Sequence, residues 1–120
     1  MTHPMIHTGS CHCGRIAFEV EGDLSTANEC NCSHCSRKGY LLVFLPRDRL
    51  ALKTQAETMA TYRFNRHVIA HHFCPKCGVG PFSFGLDPES KDKMVAVNVR
   101  CLPGVNLAQI KIAPYDGASH

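Results

Sequence analysis

The sequence has no long apolar run. Its longest uninterrupted apolar stretch, residues 41–45, stops at Pro46, whereas a bilayer-spanning helix needs about 20 such residues. The first ten residues include His3, Pro4 and His7 and hold no apolar segment of the kind a signal peptide requires, so a cytoplasmic protein is expected. Concentrated charge is missing too. Thirteen Lys and Arg face ten Asp and Glu for a formal charge of +3, spread along the chain. Arg37-Lys38, Arg47-x-Arg49 and Arg63-x-x-Arg66 are only pairs, without the basic face and interleaved aromatics of a nucleic-acid binder. Neither a membrane nor a nucleic-acid partner is therefore expected. There is also no repeat, no low-complexity tract, no linker and no helix-length amphipathic segment. The 120 residues are expected to form one domain, small enough for a structural metal to matter.

What the chain has is cysteine, eight of them. In a reducing compartment, thiols spaced by one or two residues are metal ligands more often than crosslinks. Cys30, Cys32 and Cys35 lie close enough in sequence to close on one ion while leaving its fourth position unfilled, the arrangement in which zinc becomes catalytic. Cys11-x-Cys13 and Cys74-x-x-Cys77 bring four more thiols from the two halves of the chain, a complete ligand set for a structural zinc. Gly14 and Gly78 follow these pairs and can take the positive φ of a tight turn around a metal. His12, between two ligands, is expected to point outward. Cys101 has no partner by spacing and reads as a small buried hydrophobe.

Alternation of apolar and polar residues predicts a strand over 16–21, and composition a buried strand over 40–45. Weaker strands are expected at 50–53, 59–64, 68–73, 81–86, 94–99 and 107–112, with 65–67 as a hairpin connection. Residues 22–28 read as a polar loop, 55–58 as loop or a helical turn. A short helical turn is expected over 33–38, capped by Ser33 and ended by Gly39. About eight short strands with little helix make an all-β fold.

The histidines bear on whether the second site is closed. His34, inside the triad, is read either as completing a Cys3His structural site or as a general acid or surface residue. His71 and His72 fall on opposite faces of one strand, so at most one can approach a metal; one core and one exposed histidine is the expectation. Tyr62, Phe73, Phe82 and Phe84 read as core or pocket wall.

The three motifs together, Cys-x-Cys-Gly, then Cys-x-Cys-x-x-Cys, then Phe73-Cys74-x-x-Cys77-Gly78, resemble the glutathione-dependent formaldehyde-activating family, also called the GFA or centromere-protein-V family, over about residues 9–117. The resemblance implies a β-tent fold built around a structural zinc held by Cys11, Cys13, Cys74 and Cys77. It implies a second, catalytic zinc at Cys30, Cys32 and Cys35, and an activity joining glutathione to formaldehyde, classed as a carbon-sulfur lyase. The chemistry of the residues agrees. Three thiolates leave a zinc at net charge minus one, poorly suited to making hydroxide but well suited to a substrate thiol that adds to a small aldehyde. Arg37 and Lys38, directly after the triad, are candidates to bind an acidic thiol such as glutathione. Two other classes stand beside this enzyme: a zinc-stabilised binding module without catalysis, and a metal or redox buffer.

Overall fold

The computed structural model describes residues 6–63, 69–87 and 89–116. Strands dominate it. β1 (Ile6–Ser10), β2 (Ala17–Glu21) and β5 (Leu50–Leu52) form an antiparallel sheet with β2 in the middle. β3 (Thr26–Cys30), β4 (Leu42–Pro46), β6 (Ala60–Tyr62), β7 (Ala70–Phe73), β8 (Phe82–Leu86), β9 (Lys93–Asn98) and β10 (Lys111–Tyr115) form a seven-stranded sheet in the order β10-β3-β4-β9-β8-β7-β6. Only β10 against β3 is parallel among these pairings. The all-β expectation holds. The longest helix among the described residues, α1 (Ser33–Lys38), is six residues, and no helix is long and apolar enough to cross a membrane.

Strand alternation divides the large sheet into two faces with different tasks. On one, Val43, Val97 and Phe82 lie in register, followed by Leu45, Val95 and Phe84. This face meets the small sheet: the Phe18 ring stands edge-on to Phe82 at 5.2 Å, and Ile16, Val20, Val95 and Val97 are buried around them. Each such aliphatic side chain contributes roughly 1.5–3 kcal/mol when fully buried. On the opposite face the register brings Phe44, Ala96, Ser83, His71 and Tyr62 into one row across five strands. That row is the floor of the candidate site.

Four local expectations are corrected. Residues 26–28, expected as the end of a loop, belong to β3: Thr26, Asn28 and Glu29 hide a strand that pairs with β10 on one side and β4 on the other. Cross-strand pairing, not side-chain hydrophobicity, makes it a strand. Residues 107–112 divide into a 3₁₀ turn, Leu107–Gln109, whose N-cap Asn106 accepts from the Ala108 N–H, and the start of β10. Pro114 is tolerated in β10 because this strand forms the sheet edge. β1 was not expected at all. The cap of α1 is Cys32, whose sulfur accepts from the Cys35 N–H, while Ser33 is the first helical residue. Gly39 ends α1 in the left-handed conformation, as expected, at φ 71°. Of the predicted 59–64 and 68–73 hairpin, β6 and β7 pair antiparallel; Phe64, Asn65, Arg66, His67 and Val68 lie outside the described residues. Residues 56–58 form a 3₁₀ turn.

Candidate metal centres and active site

The first thiol group is built from two turns. β1 and β2 are joined by a reversal in which Cys11 N–H donates to the Ile16 carbonyl and Gly14 takes φ 83°. After β7, Cys74 N–H donates to the Val79 carbonyl, Gly78 N–H to the Cys74 carbonyl, and Gly78 takes φ 81°. Both turns point their sulfurs at one spot. The Sγ atoms of Cys11, Cys13, Cys74 and Cys77 all lie within 4.8 Å of one another, with 3.8 Å between Cys11 and Cys13 and 3.6 Å between Cys13 and Cys74. A tetrahedron with zinc-sulfur bonds of about 2.3 Å has edges of about 3.8 Å, so the four thiols fit that ion. Backbone N–H groups aim at the sulfurs as well, Ile16 N to Cys11 at 3.3 Å and Cys77 N to Cys74 at 3.4 Å. Such donors stabilise thiolate, the form a metal requires. Hydrogen bonds from the backbone of Val79 and of Cys13 hold the Cys77 thiol down to about 6.

The second group sits where β3 hands over to α1. Cys30 closes the strand, Cys32 caps the helix and Cys35 is buried within its first turn. Their sulfurs also lie within 4.8 Å of one another. Cys32 N–H reaches the Cys30 sulfur at 3.5 Å, Cys35 N–H the Cys32 sulfur at 3.3 Å. Burial pushes the Cys35 thiol upward, reinforced by the neighbouring thiols. Burial acts the same way on Cys32, but donation from the backbone of Cys35 and the adjacent thiols outweighs it and leaves that thiol below its usual range. Three thiols so placed cannot all ionise unaided; a dication in their midst makes that possible.

Among the described residues no histidine nitrogen joins this second group. His34 turns from the sulfurs into a cluster of rings, stacked on Tyr62 at 5.5 Å and 22°, 4.2 Å from the His71 ring, and edge-on to Tyr40 at 5.7 Å. The Cys3His reading is therefore not the arrangement found. Cys30, Cys35, Tyr40 and Leu42 make a small second core, with Cys32, Ala96 and Tyr115 packed against it. Tyr40 is buried and its phenol held up at about 12, by burial first and then by Cys35. Phe44 and Tyr62 remain partly open to solvent on the same face, at 39% and 49% exposure. The result is a shallow, ring-lined surface beside three thiols.

His71 and His72 do face opposite ways, but the expected exposed histidine is absent. His71 is buried, its Nδ1 3.0 Å from the Ser83 hydroxyl. His72 is half-buried on the other face, against the Phe82 and Phe84 rings, with Nδ1 3.0 Å from the Thr61 hydroxyl. Both faces of β7 are covered, which a strand read in isolation does not reveal. Burial pushes each imidazole down to about 4, aided at His71 by His34 and at His72 by Arg63 and Arg47. An unfolded histidine titrates near 6.5. Between those values the unfolded chain takes up protons that the native chain does not, so stability is lost as pH falls through the window and unaffected above it. Urea melts of zinc-replete protein near pH 7 and pH 5 are expected to show His72→Gln losing less stability than the parent, by about 1 kcal/mol. Equal losses would mean that His72 takes up its proton as readily in the fold as in the unfolded chain.

Arg37 is exposed, and its guanidinium reaches back to the Ser33 carbonyl at 2.8 Å. Lys38 stands one turn after His34, and its charge, after burial, lowers the His34 pKa. A further cation was not anticipated: Arg100 donates from Nε to the Gly39 carbonyl at 3.1 Å, tying the end of α1 to the turn after β9. Tyr115 was missed as well. It reaches Cys30 only through the parallel pairing of β10 with β3. Cys101 is a buried core residue, its thiol raised to about 11 by burial. His12 is exposed, as expected.

The chain is similar to known proteins. A crystal structure of a Rhodobacter sphaeroides protein superposes with a TM-score of 0.74 at 30% sequence identity, covering 88% of this chain and 99% of that one. Residues 6–114 match the family model described as glutathione-dependent formaldehyde-activating enzyme. That span takes in both thiol groups and the described strands of both sheets except Tyr115, the last residue of β10, so the chain belongs to the glutathione-dependent formaldehyde-activating (GFA) family.

Proposed function

We propose that this protein is a zinc-dependent enzyme of carbon-sulfur lyase type, resembling S-(hydroxymethyl)glutathione synthase, in which glutathione or a similar thiol adds to a small aldehyde. The observation that carries this reading is the group of three mutually close thiols, with no histidine among them, at the edge of an open ring-lined face. Bound there, zinc supplies a soft cation that lowers the pKa of an incoming thiol. The reaction is an addition: sulfur bonds to the carbonyl carbon, the thiol proton ends on the oxygen, and nothing is oxidised or reduced. Cys30, Cys32 and Cys35 would hold the metal, and the N–H donors of Cys32 and Cys35 would share the thiolate charge. Phe44, Ala96, Ser83, His71 and Tyr62 form the floor of the site, and His34, packed on the Tyr62 and His71 rings, its wall. The closed four-thiol group contributes folding energy alone.

Glutathione arrives with net negative charge, at a site whose three thiolates outweigh one dication, so cations beside it are needed. Lys38, on the His34 side of α1, and Arg37 are the candidates. The test is a panel of acidic and neutral thiols scored by thermal protection of zinc-replete protein. A thiol that binds only the native state at a hundredfold excess over Kd stabilises by about 2.7 kcal/mol. In Arg37→Gln/Lys38→Gln protein, protection by acidic thiols is expected to fall more than protection by neutral ones. The gap should shrink in high salt, where the screening length nears about 3 Å at 1 M. Equal losses for both kinds of thiol would remove these two residues from substrate selection, and no protection by any thiol would overturn the proposed activity.

A further inference from the structure

The face of the large sheet opposite the thiols is only partly covered by the small sheet. At its free end a cavity of about 380 Å³ is lined by Arg47, Arg63, His72, Phe84, Lys93 and Met94, among others. The register explains why these groups meet. His72, Phe84 and Lys93 share a face by alternation from β7 to β9, since Ala70 pairs with Phe84 and Leu86 with Lys93. Arg47 follows β4 directly, lies over the Phe84 ring at 3.7 Å and donates to the Leu50 carbonyl at 3.3 Å. Its guanidinium is therefore held in place. Among the described residues no acidic side chain lines this cavity; Asp48 borders a neighbouring one of about 350 Å³ that shares Arg47 and Lys93.

His72 completes the set. Its Nε2 is buried with no hydrogen-bond partner among the described residues, although a buried polar atom left unpaired costs about 1–3 kcal/mol. The Thr61 hydroxyl lies 3.0 Å from Nδ1, and in the tautomer where it donates there, the ring proton is on Nε2, a neutral donor. Two guanidinium groups, an ammonium and an imidazole N–H suit an anion with several accepting oxygens and nearly two charges better than a single carboxylate.

We propose that this cavity binds a small phosphate monoester, held by Arg47, Arg63, His72 and Lys93 on the side of the sheet away from the thiols. Because His71 and His72 are neighbours on β7, the phosphate site and the thiol site share one strand but no ligand-binding side chain.

The test is an NMR titration of isotopically labelled, zinc-replete protein with phenyl phosphate, and in parallel with inorganic phosphate. The expected footprint is saturable shifts at the His72 ring and at the amides of Ala70, Phe84 and Lys93, with those of Cys30 to Lys38 unmoved. Lys93→Gln and Arg63→Gln, each checked for native zinc content and an unchanged spectrum without ligand, are expected to weaken phenyl phosphate by about fivefold or more apiece. Binding as tight as in the parent for both variants, shifts confined to the thiol face, or no saturation at about 10 mM would each overturn the proposal. A single-stranded oligonucleotide that binds more tightly than phenyl phosphate, with a footprint running beyond the cavity, would overturn the small-ligand assignment in favour of a phosphate backbone.

Discussion

Replacing Cys74 or Cys77 by serine is expected to abolish the cooperative melt, or soluble expression altogether. The four-thiol group joins the β1–β2 turn to the segment after β7, and so ties the small sheet to the large one. Structural zinc sites contribute apparent binding energies of about 10–16 kcal/mol, comparable to or larger than the whole stability of a small domain. Removing one thiolate breaks the tetrahedron, and the remaining three sulfurs are left crowded at about van der Waals distance with nothing to hold them. Circular dichroism melts of both variants, with and without added zinc, check this. Normal cooperative melting of both would remove the structural assignment from this group.

The second large effect has the opposite character. Cys32→Ser is expected to leave the melt nearly unchanged, eliminate one of two zinc ions, and reduce thiol-aldehyde addition to background. The substitution is unusually clean because Cys32 is the N-cap of α1, its sulfur accepting the Cys35 N–H at 3.3 Å. Serine is among the preferred N-cap residues, so the helix keeps its cap while the site loses a thiolate. Only the metal chemistry is removed. A Cys32→Ser protein that unfolds would show that the structural and catalytic roles of the two groups had been interchanged.

The thiols and their surroundings differed in how far the sequence revealed them. The thiols were legible because metal ligation imposes short, recognisable spacings: Cys30, Cys32 and Cys35 come together through one strand end and one helical turn. Cys11 and Cys13 meet Cys74 and Cys77 across the chain, but each pair carries its own local mark in the glycine that follows it at positive φ. Of the floor of the candidate site only Tyr62 had been read as core or pocket wall; how the rest assembles was not legible. Phe44, Ala96, Ser83, His71 and Tyr62 come from five strands, and only the register between strands, a non-local property, lays them in one row. The same holds for β3 and β10. Neither has a clear hydrophobic pattern, and each becomes a strand by pairing with the other, which is how Tyr115 arrives beside Cys30. His34 could be placed among the ligands or apart from them by spacing alone; the neighbouring Tyr40, Tyr62 and His71 rings decide it. Cys32 went unrecognised as a cap because a thiol is not one of the usual capping side chains.

The central claim is that one thiol group is closed and structural while the other is open and holds a separate ion. Zinc content per chain, measured side by side in parent and Cys32→Ser protein after dialysis against a weak chelator, tests it most directly. Two zinc ions are expected in the parent and one in the variant, with both melting cooperatively at nearly the same temperature. Equal zinc content in the two proteins, or iron in place of zinc, would contradict it.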